Sequence, residues 1–157
     1  MTAEMEKAAL SSTFFTDASV SSLAATLHAE CFTPSWDEDA FRSALAIPGT
    51  VLQILACDET PVAFALYRRM FEEAEILTLG TRPAFRGRRL AATLLREGQT
   101  YLAALQVERL FLEVGAQNTP ARRLYSSMGF KEIGRRAGYY LHGDRSEDAI
   151  IMLKNLH

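Results

Sequence analysis

Three groups of residues in this chain have the types and the spacing to do chemistry. The first is Ile76-Leu77-Thr78-Leu79-Gly80-Thr81-Arg82-Pro83-Ala84-Phe85-Arg86-Gly87-Arg88-Arg89-Leu90-Ala91. It reads as a strand, a turn and the start of a helix. Such a turn offers unpaired backbone N–H groups at the positive end of a helix dipole. From Arg82 to Arg96 there are five arginines (Arg82, Arg86, Arg88, Arg89, Arg96) and no acid. The patch suits a pyrophosphate, and it equally describes a solvated helix face. It is no Walker loop, because no Gly-Lys-Ser/Thr follows, and no dinucleotide fingerprint, because the glycine triplet is absent.

The second is Glu113, near the carboxyl end of the apolar run Val107–Val114. Ligand sites in open α/β sheets lie beyond the carboxyl ends of strands, so this carboxylate is either a base or a solvated strand end. The third is Asn118-x-x-Ala121-x-x-x-Tyr125-x-x-x-Gly129-Phe130. At 3.6 residues per turn Asn118, Ala121 and Tyr125 share one helix face. Ala121 permits close approach of a ligand and Tyr125 adds a phenol, unless the pattern is only a capped helix with a packed tyrosine.

These residues need elements to hold them. A strand near Ser11–Phe15 precedes a helix capped by Asp17 and running to about Cys31, with Val20, Leu23, Ala24, Leu27 and Cys31 at helical spacing. His28 on that helix reads as a surface or boundary histidine. A short second helix opens at Trp36-Asp37-Glu38-Asp39 and ends before Pro48-Gly49. Strands over Val51–Ala56, Val62–Met70 and Glu75–Gly80 then form an antiparallel meander. A helix over about Arg88–Leu105 leads into Val107–Val114, an apolar strand of the kind buried on both faces. Pro120 opens another helix in its first turn, and Gly129 closes it. Strands over about Lys131–Leu141 and Asp148–Lys154 complete an α/β chain with covered sheet faces.

The 157 residues are 48% apolar and 23% charged, ordinary values for one globular domain spanning 1–157. No run approaches the roughly 18 apolar residues of a membrane helix, and the start MTAEMEKAALSSTFF lacks the basic region of a secretory leader. Cys31 and Cys57 make no disulfide framework and no metal-ligand spacing, so a cytoplasmic home without a metal is expected. A net charge of −2 argues against broad nucleic-acid binding.

Taken together, these motifs resemble the GNAT superfamily of N-acetyltransferases. The order matches: a strand, an Arg/Gln-x-x-Gly-x-Gly/Ala turn and helix, a strand ending in glutamate, then Asn-x-x-Ala-x-x-x-Tyr-x-x-x-Gly-Phe. The likeness is closer to the bacterial ribosomal-protein-alanine N-acetyltransferases, through FTPSWDEDAF, LFLEVGAQNTPARRLYSSMGF, the tyrosine pair of RRAGYY, and EDAIIM. The chain departs from the pattern at Arg89, where glycine is usual, and at Thr81, where an aliphatic residue is usual; Ala91 fills the last small position. The Arg89 side chain either crowds the phosphates or adds a contact to them.

The resemblance implies an α/β GNAT fold, a mixed sheet of about seven strands flanked by about four helices. It implies an acetyl-CoA-dependent N-acetyltransferase acting on a protein N-terminus, that of an alanine-starting small-subunit ribosomal protein. Other acceptors in keeping with it are a small-molecule amine, a polyamine or a lysine side chain, and a catalytically weak acyl-CoA-binding module is a further reading. Glu113 corresponds to the general base, and Tyr125 to the acid for the departing thiolate. The cosubstrate would lie along Leu79, Gly80 and Thr81, with backbone around Leu79 and Thr81 facing the oxyanion. Its phosphates would meet Arg86, Gly87, Arg88, Arg89, Leu90 and Ala91, and its arm Asn118, Ala121 and Tyr125. Ser35, Trp36, Tyr139 and Tyr140 correspond to walls for the acceptor. A monomer is expected, with neither nucleic acid nor membrane as partner.

Overall fold

The computed structural model describes residues 9–157; most of the stretch examined for a leader, residues 1–8, lies outside them. Strand β1 (Leu10–Phe15) leads through a 3₁₀ turn at Ala18–Val20 into helix α1 (Ser21–Cys31) and helix α2 (Glu38–Leu45). The Asp17 carboxylate accepts from Ser19 N–H and that of Asp37 from Ala40 N–H, so each acid stands where a helical turn leaves its donors unpaired. Strands β2 (Thr50–Cys57), β3 (Thr60–Met70) and β4 (Glu73–Thr81) form the expected meander. After a 3₁₀ turn at Pro83–Phe85 come helix α3 (Leu90–Ala104), strand β5 (Arg109–Gly115), helix α4 (Thr119–Ser127), and strands β6 (Lys131–His142) and β7 (Arg145–Asn155).

Among the described residues seven strands lie in the order β1-β2-β3-β4-β5-β7-β6, and only β4 and β5 are parallel. Strand alternation feeds two separate cores. Val51, Leu55, Ala63 and Ala65 meet Leu90, Leu94, Leu95 and Leu102 of α3. Leu52, Ile54, Phe64 and Leu66 meet Ala24 and Leu27 of α1 and Phe41 and Leu45 of α2. Each fully buried leucine or phenylalanine contributes about 1.5–3 kcal/mol, enough for the two faces to fix the register.

The structure corrects several expectations. Burial along β5 alternates: Leu110, Leu112 and Val114 are buried while Arg109, Phe111 and Glu113 are half-buried. On that second face Arg109 pairs with Glu72 and Glu73, and Glu113 reaches a cleft lined by β4 and β5. Helix α3 begins at Leu90, not Arg88, because Arg89 takes a left-handed conformation (φ 58°). Strand β7 begins at Arg145 because His142 pairs with Arg145 across a two-residue turn in which Gly143 has φ 67°. His28 is buried, 3% exposed, and is no surface histidine.

Candidate active site

The site exists because β4 and β5 part. Their parallel pairing ends at Ile76 opposite Leu112, although both strands run on to Thr81 and Gly115. On the other side of β4, Tyr67 pairs with Ile76 and Leu66 with Thr78, which leaves Leu77 as a bulge. A bulge bends and twists its strand, and from this one onward β4 carries no pairing to β5. The gap opens a cleft of about 1200 Å³.

One wall is the end of β4, with Leu79, Gly80 and Thr81. A Cβ at Gly80 would lie 3.0 Å from the Phe64 ring and 3.1 Å from Cys31 Sγ, so a side chain there would crowd both. The mouth is formed by Arg86, Gly87, Arg89, Leu90 and Ala91. Gly87 has φ 78° with open space where a side chain would sit. The first α3 hydrogen bond runs from Thr93 N–H to Arg89 O, so the N–H groups of Leu90, Ala91 and Ala92 have no intrahelical acceptor. Ala91 and Ala92 both border the cleft, and the helix dipole adds positive potential there.

The arginines divide by role. Arg82 is committed to structure: its Nε lies 3.0 Å from Glu30 Oε2 and it donates to Pro61 O at 2.9 Å. Arg86 donates from Nε to Thr81 O at 3.2 Å, tying the turn to β4. Arg96 and the exposed Arg89 side chain line the cleft without closing it. Arg88 is half-buried and does not line it.

Left-handed backbone costs a residue with a Cβ roughly 1–2 kcal/mol relative to glycine. Arg89→Gly is therefore expected to raise stability by about 1 kcal/mol, a Tm gain of about 2–4 °C for a chain this size. Thermal unfolding of both proteins measures it, and a lower Tm for the variant would show that the Arg89 side chain holds the turn.

Glu113 faces the cleft from β5, its side chain 17% exposed. Arg136 of β6 anchors it, with the guanidinium 2.7 Å from Oε1. Arg136 also lies over the Tyr139 ring, 4.8 Å from its centroid. Across from Glu113, Tyr125 projects from α4 and packs edge-on against Phe130. Burial, reinforced by neighbouring Tyr140, pushes the Tyr125 phenol up to about 12, so it is a protonated donor throughout the neutral range. Burial and the Glu113 charge likewise raise Tyr140.

Asn118 and Ala121 complete this wall; the Asn118 side chain also caps α4 by accepting from Ala121 N–H at 3.4 Å. The β6–β7 register slips between Arg136 and Tyr140, and Asp148 clasps the slip by accepting from Gly138 N–H at 2.9 Å. That bulge brings Tyr140 to the cleft, whereas the half-exposed Tyr139 stacks edge-on beside it and does not line the cleft. Ser35 is exposed and Trp36 packs on Phe41 and His28; neither lines the cleft. Phe32, from the same loop, does.

Three residues around the cleft had no role assigned to them from the sequence, although RRAGYY contains Arg136 and EDAIIM begins at Glu147. Arg136 carried no signal beyond its place before the tyrosine pair. Glu147 accepts from Gln117 N–H at 2.6 Å and pairs with His142 Nε2 at 2.8 Å, and both side chains border the cleft. Those contacts hold the Glu147 carboxyl below its usual range, the Gln117 bond contributing most. They also explain Gly115, whose Cβ would lie 2.5 Å from Glu147 Oε2.

The sequence matches the acetyltransferase (GNAT) family over residues 22–130. A ribosomal protein bS18-alanine N-acetyltransferase of Haemophilus ducreyi is 39% identical over 92 residues, 58% of this chain and 63% of that protein. The N-alpha-acetyltransferase RimI of Mycobacterium tuberculosis is 34% identical over 122 residues, 74% of this chain and 75% of that one. Among solved structures, the ribosomal-protein-S18-alanine N-acetyltransferase from Escherichia coli superposes with a TM-score of 0.86 at 27% identity, covering 94% of both chains.

Proposed function

This chain belongs to the acetyltransferase (GNAT) family, and from that premise we propose that it acetylates the α-amino group of an alanine-starting ribosomal protein N-terminus of the bS18 type. One observation carries the reading: Glu113 and the protonated Tyr125 face a single cleft whose mouth is an arginine-flanked helix N-terminus. Relatives named for bS18 alanine acetylation support the acceptor.

Acetyl-CoA supplies the acetyl thioester. The residues at the mouth suit its phosphates: the Leu90–Ala92 amides and Arg89 are donors without a competing acid. The exposed edge of β4 past Ile76 offers backbone groups to an extended pantetheine arm, as a sheet edge does to an added strand.

Only a neutral amine attacks a carbonyl, and a free α-amino group titrates near 7.7–8.0. Glu113 accepts the amine proton, directly or through one water, as the N–C bond forms and the C–S bond breaks. Tyr125 faces the leaving sulfur. A phenol at about 12 gives its proton reluctantly to a thiolate whose conjugate acid titrates near 8.5. Tyr125 therefore assists chiefly by donating a hydrogen bond to the departing sulfur, and positioning does the greater part of the work. The unpaired Cys31 and Cys57 thiols suit a reducing cytoplasm.

Incubated with acetyl-CoA, an alanine-starting peptide of the bS18 N-terminus is expected to gain one acetyl group by mass. A peptide with a blocked N-terminus and a free lysine is expected to react at under about a hundredth of that rate. Preferential modification of the lysine peptide, or of a polyamine, would replace the proposed acceptor.

A further inference from the structure

His28 is a buried histidine that the proposed chemistry does not use. Its ring is held at both nitrogens by segments far apart in sequence. The Trp36 N–H donates to Nδ1 at 3.0 Å, so in the neutral ring the proton sits on Nε2. Nε2 lies 3.1 Å from Thr78 Oγ1 and donates to it. Thr78 lies just beyond the β4 bulge and lines the cleft. Phe32, which lines the cleft from the other side, stacks on the imidazole with centroids 4.4 Å apart.

We propose that His28 is a positioning residue that clasps the 32–37 loop, as the acceptor-side wall, to the part of β4 that borders the cleft. The proposal rests on the function above only for calling this loop the acceptor wall. The Trp36 bond needs the neutral ring, because Nδ1 accepts only while it is unprotonated; the Thr78 bond does not, since Nε2 carries its proton in either state. A proton on Nδ1 would oppose the Trp36 N–H, remove that bond and free the loop from β4.

The groups facing His28 are Thr78 of β4, Phe64 of β3, Phe41 of α2, and Phe32 and Trp36 of the loop. None of these carries a charge. On its own helix Glu30 is paired with Arg82, and the Cys31 thiol donates to Thr81 O. Burial holds His28 below the ordinary histidine range. Its stabilising effect is thus complete above about 6.5 and is lost as pH falls through the lowered folded-state value.

Trp36 is the only tryptophan in the chain, so its emission reports the loop without substrate. Acidifying the folded protein from about pH 7.5 to about pH 4.5 is expected to red-shift the emission in one step. His28→Asn keeps an acceptor atom near the Nδ1 position and cannot titrate; it is expected to show no such step. The ratio of acceptor KM, wild type over His28→Asn, is expected to rise about tenfold across that step, the effect of one lost hydrogen bond. Protonation of the acceptor amine cancels from this ratio. His28→Leu is expected to raise acceptor KM about tenfold at neutral pH while KM for acetyl-CoA holds.

Emission that is flat with pH in the wild type, or that steps equally in His28→Asn, would overturn the clasp. A step with an unchanged KM ratio would overturn its role in acceptor binding. Failure to acetylate any peptide would defeat the function reading instead, and the emission comparison would still decide the clasp.

Discussion

Glu113→Gln is expected to lower kcat for peptide acetylation by about 10²–10³-fold, within the range that a positioned general base contributes. The substitution isolates proton acceptance. Glutamine is nearly isosteric, and its amide oxygen still accepts from the Arg136 guanidinium now 2.7 Å from Oε1, so the side chain keeps its place. Nothing at the cleft mouth changes, and KM for acetyl-CoA is expected to stay within about twofold. Steady-state kinetics on both proteins, each checked for an unchanged Tm, decides the matter. A variant within a few-fold of the wild-type kcat would remove Glu113 from proton transfer and leave the amine to lose its proton to solvent. The half-exposed position of Arg136 leaves room for an incoming ammonium to compete for Glu113.

The elements were readable from the chain because their signals are local. Asp17, Asp37, Pro120 and Gly129 mark helix ends by their own chemistry, and apolar spacing separates helix from strand. Glu113, Asn118, Ala121 and Tyr125 were readable too, since they stand at a strand end and on one helix face. Arg89 shows the limit: its departure from glycine is visible in the sequence, but the positive φ that gives the departure an energetic cost belongs to the folded turn. Arg136 and Tyr140 depend on a slip in the β6–β7 register, and Asp148, which holds that slip, comes from the opposite strand. His28 was misplaced for the same reason. Its partners Thr78 and Trp36 come from a strand and a loop outside its helix, and nothing in the period of α1 announces them. The β5 run misled because an apolar string of that length fits one buried face as well as two.

The largest effect on stability is expected at Gly98, in the middle of α3, where two opposing terms can be compared. In an exposed helix Gly→Ala stabilises by about 1 kcal/mol. Here the new methyl would fall on the Tyr67 hydroxyl and lie 2.7 Å from Gln53 Oε1. Those atoms cannot simply withdraw. Gln53 is fully buried; its Nε2 donates to Ser12 Oγ and to Leu94 O, both at 2.9 Å, while Oε1 accepts from the Tyr67 hydroxyl at 2.7 Å. This network joins β1, β2, β3 and α3, and breaking one buried bond costs about 1–3 kcal/mol on top of about 1–3 kcal/mol for overpacking. Gly98→Ala is therefore expected to destabilise by a net amount of about 1–5 kcal/mol, a Tm loss of roughly 2–20 °C. Helix α3 also carries the amides of the cleft mouth at its N-terminus, so lifting it off the sheet is expected to raise KM for acetyl-CoA. Adding Tyr67→Phe removes the oxygen that the methyl meets, and the double variant should cost at least about 1 kcal/mol less than the sum of the two single changes. Urea unfolding of the four proteins gives this cycle. Additive costs, or a Gly98→Ala protein more stable than the wild type, would mean that α3 stands off the sheet and that its position does not depend on the glycine.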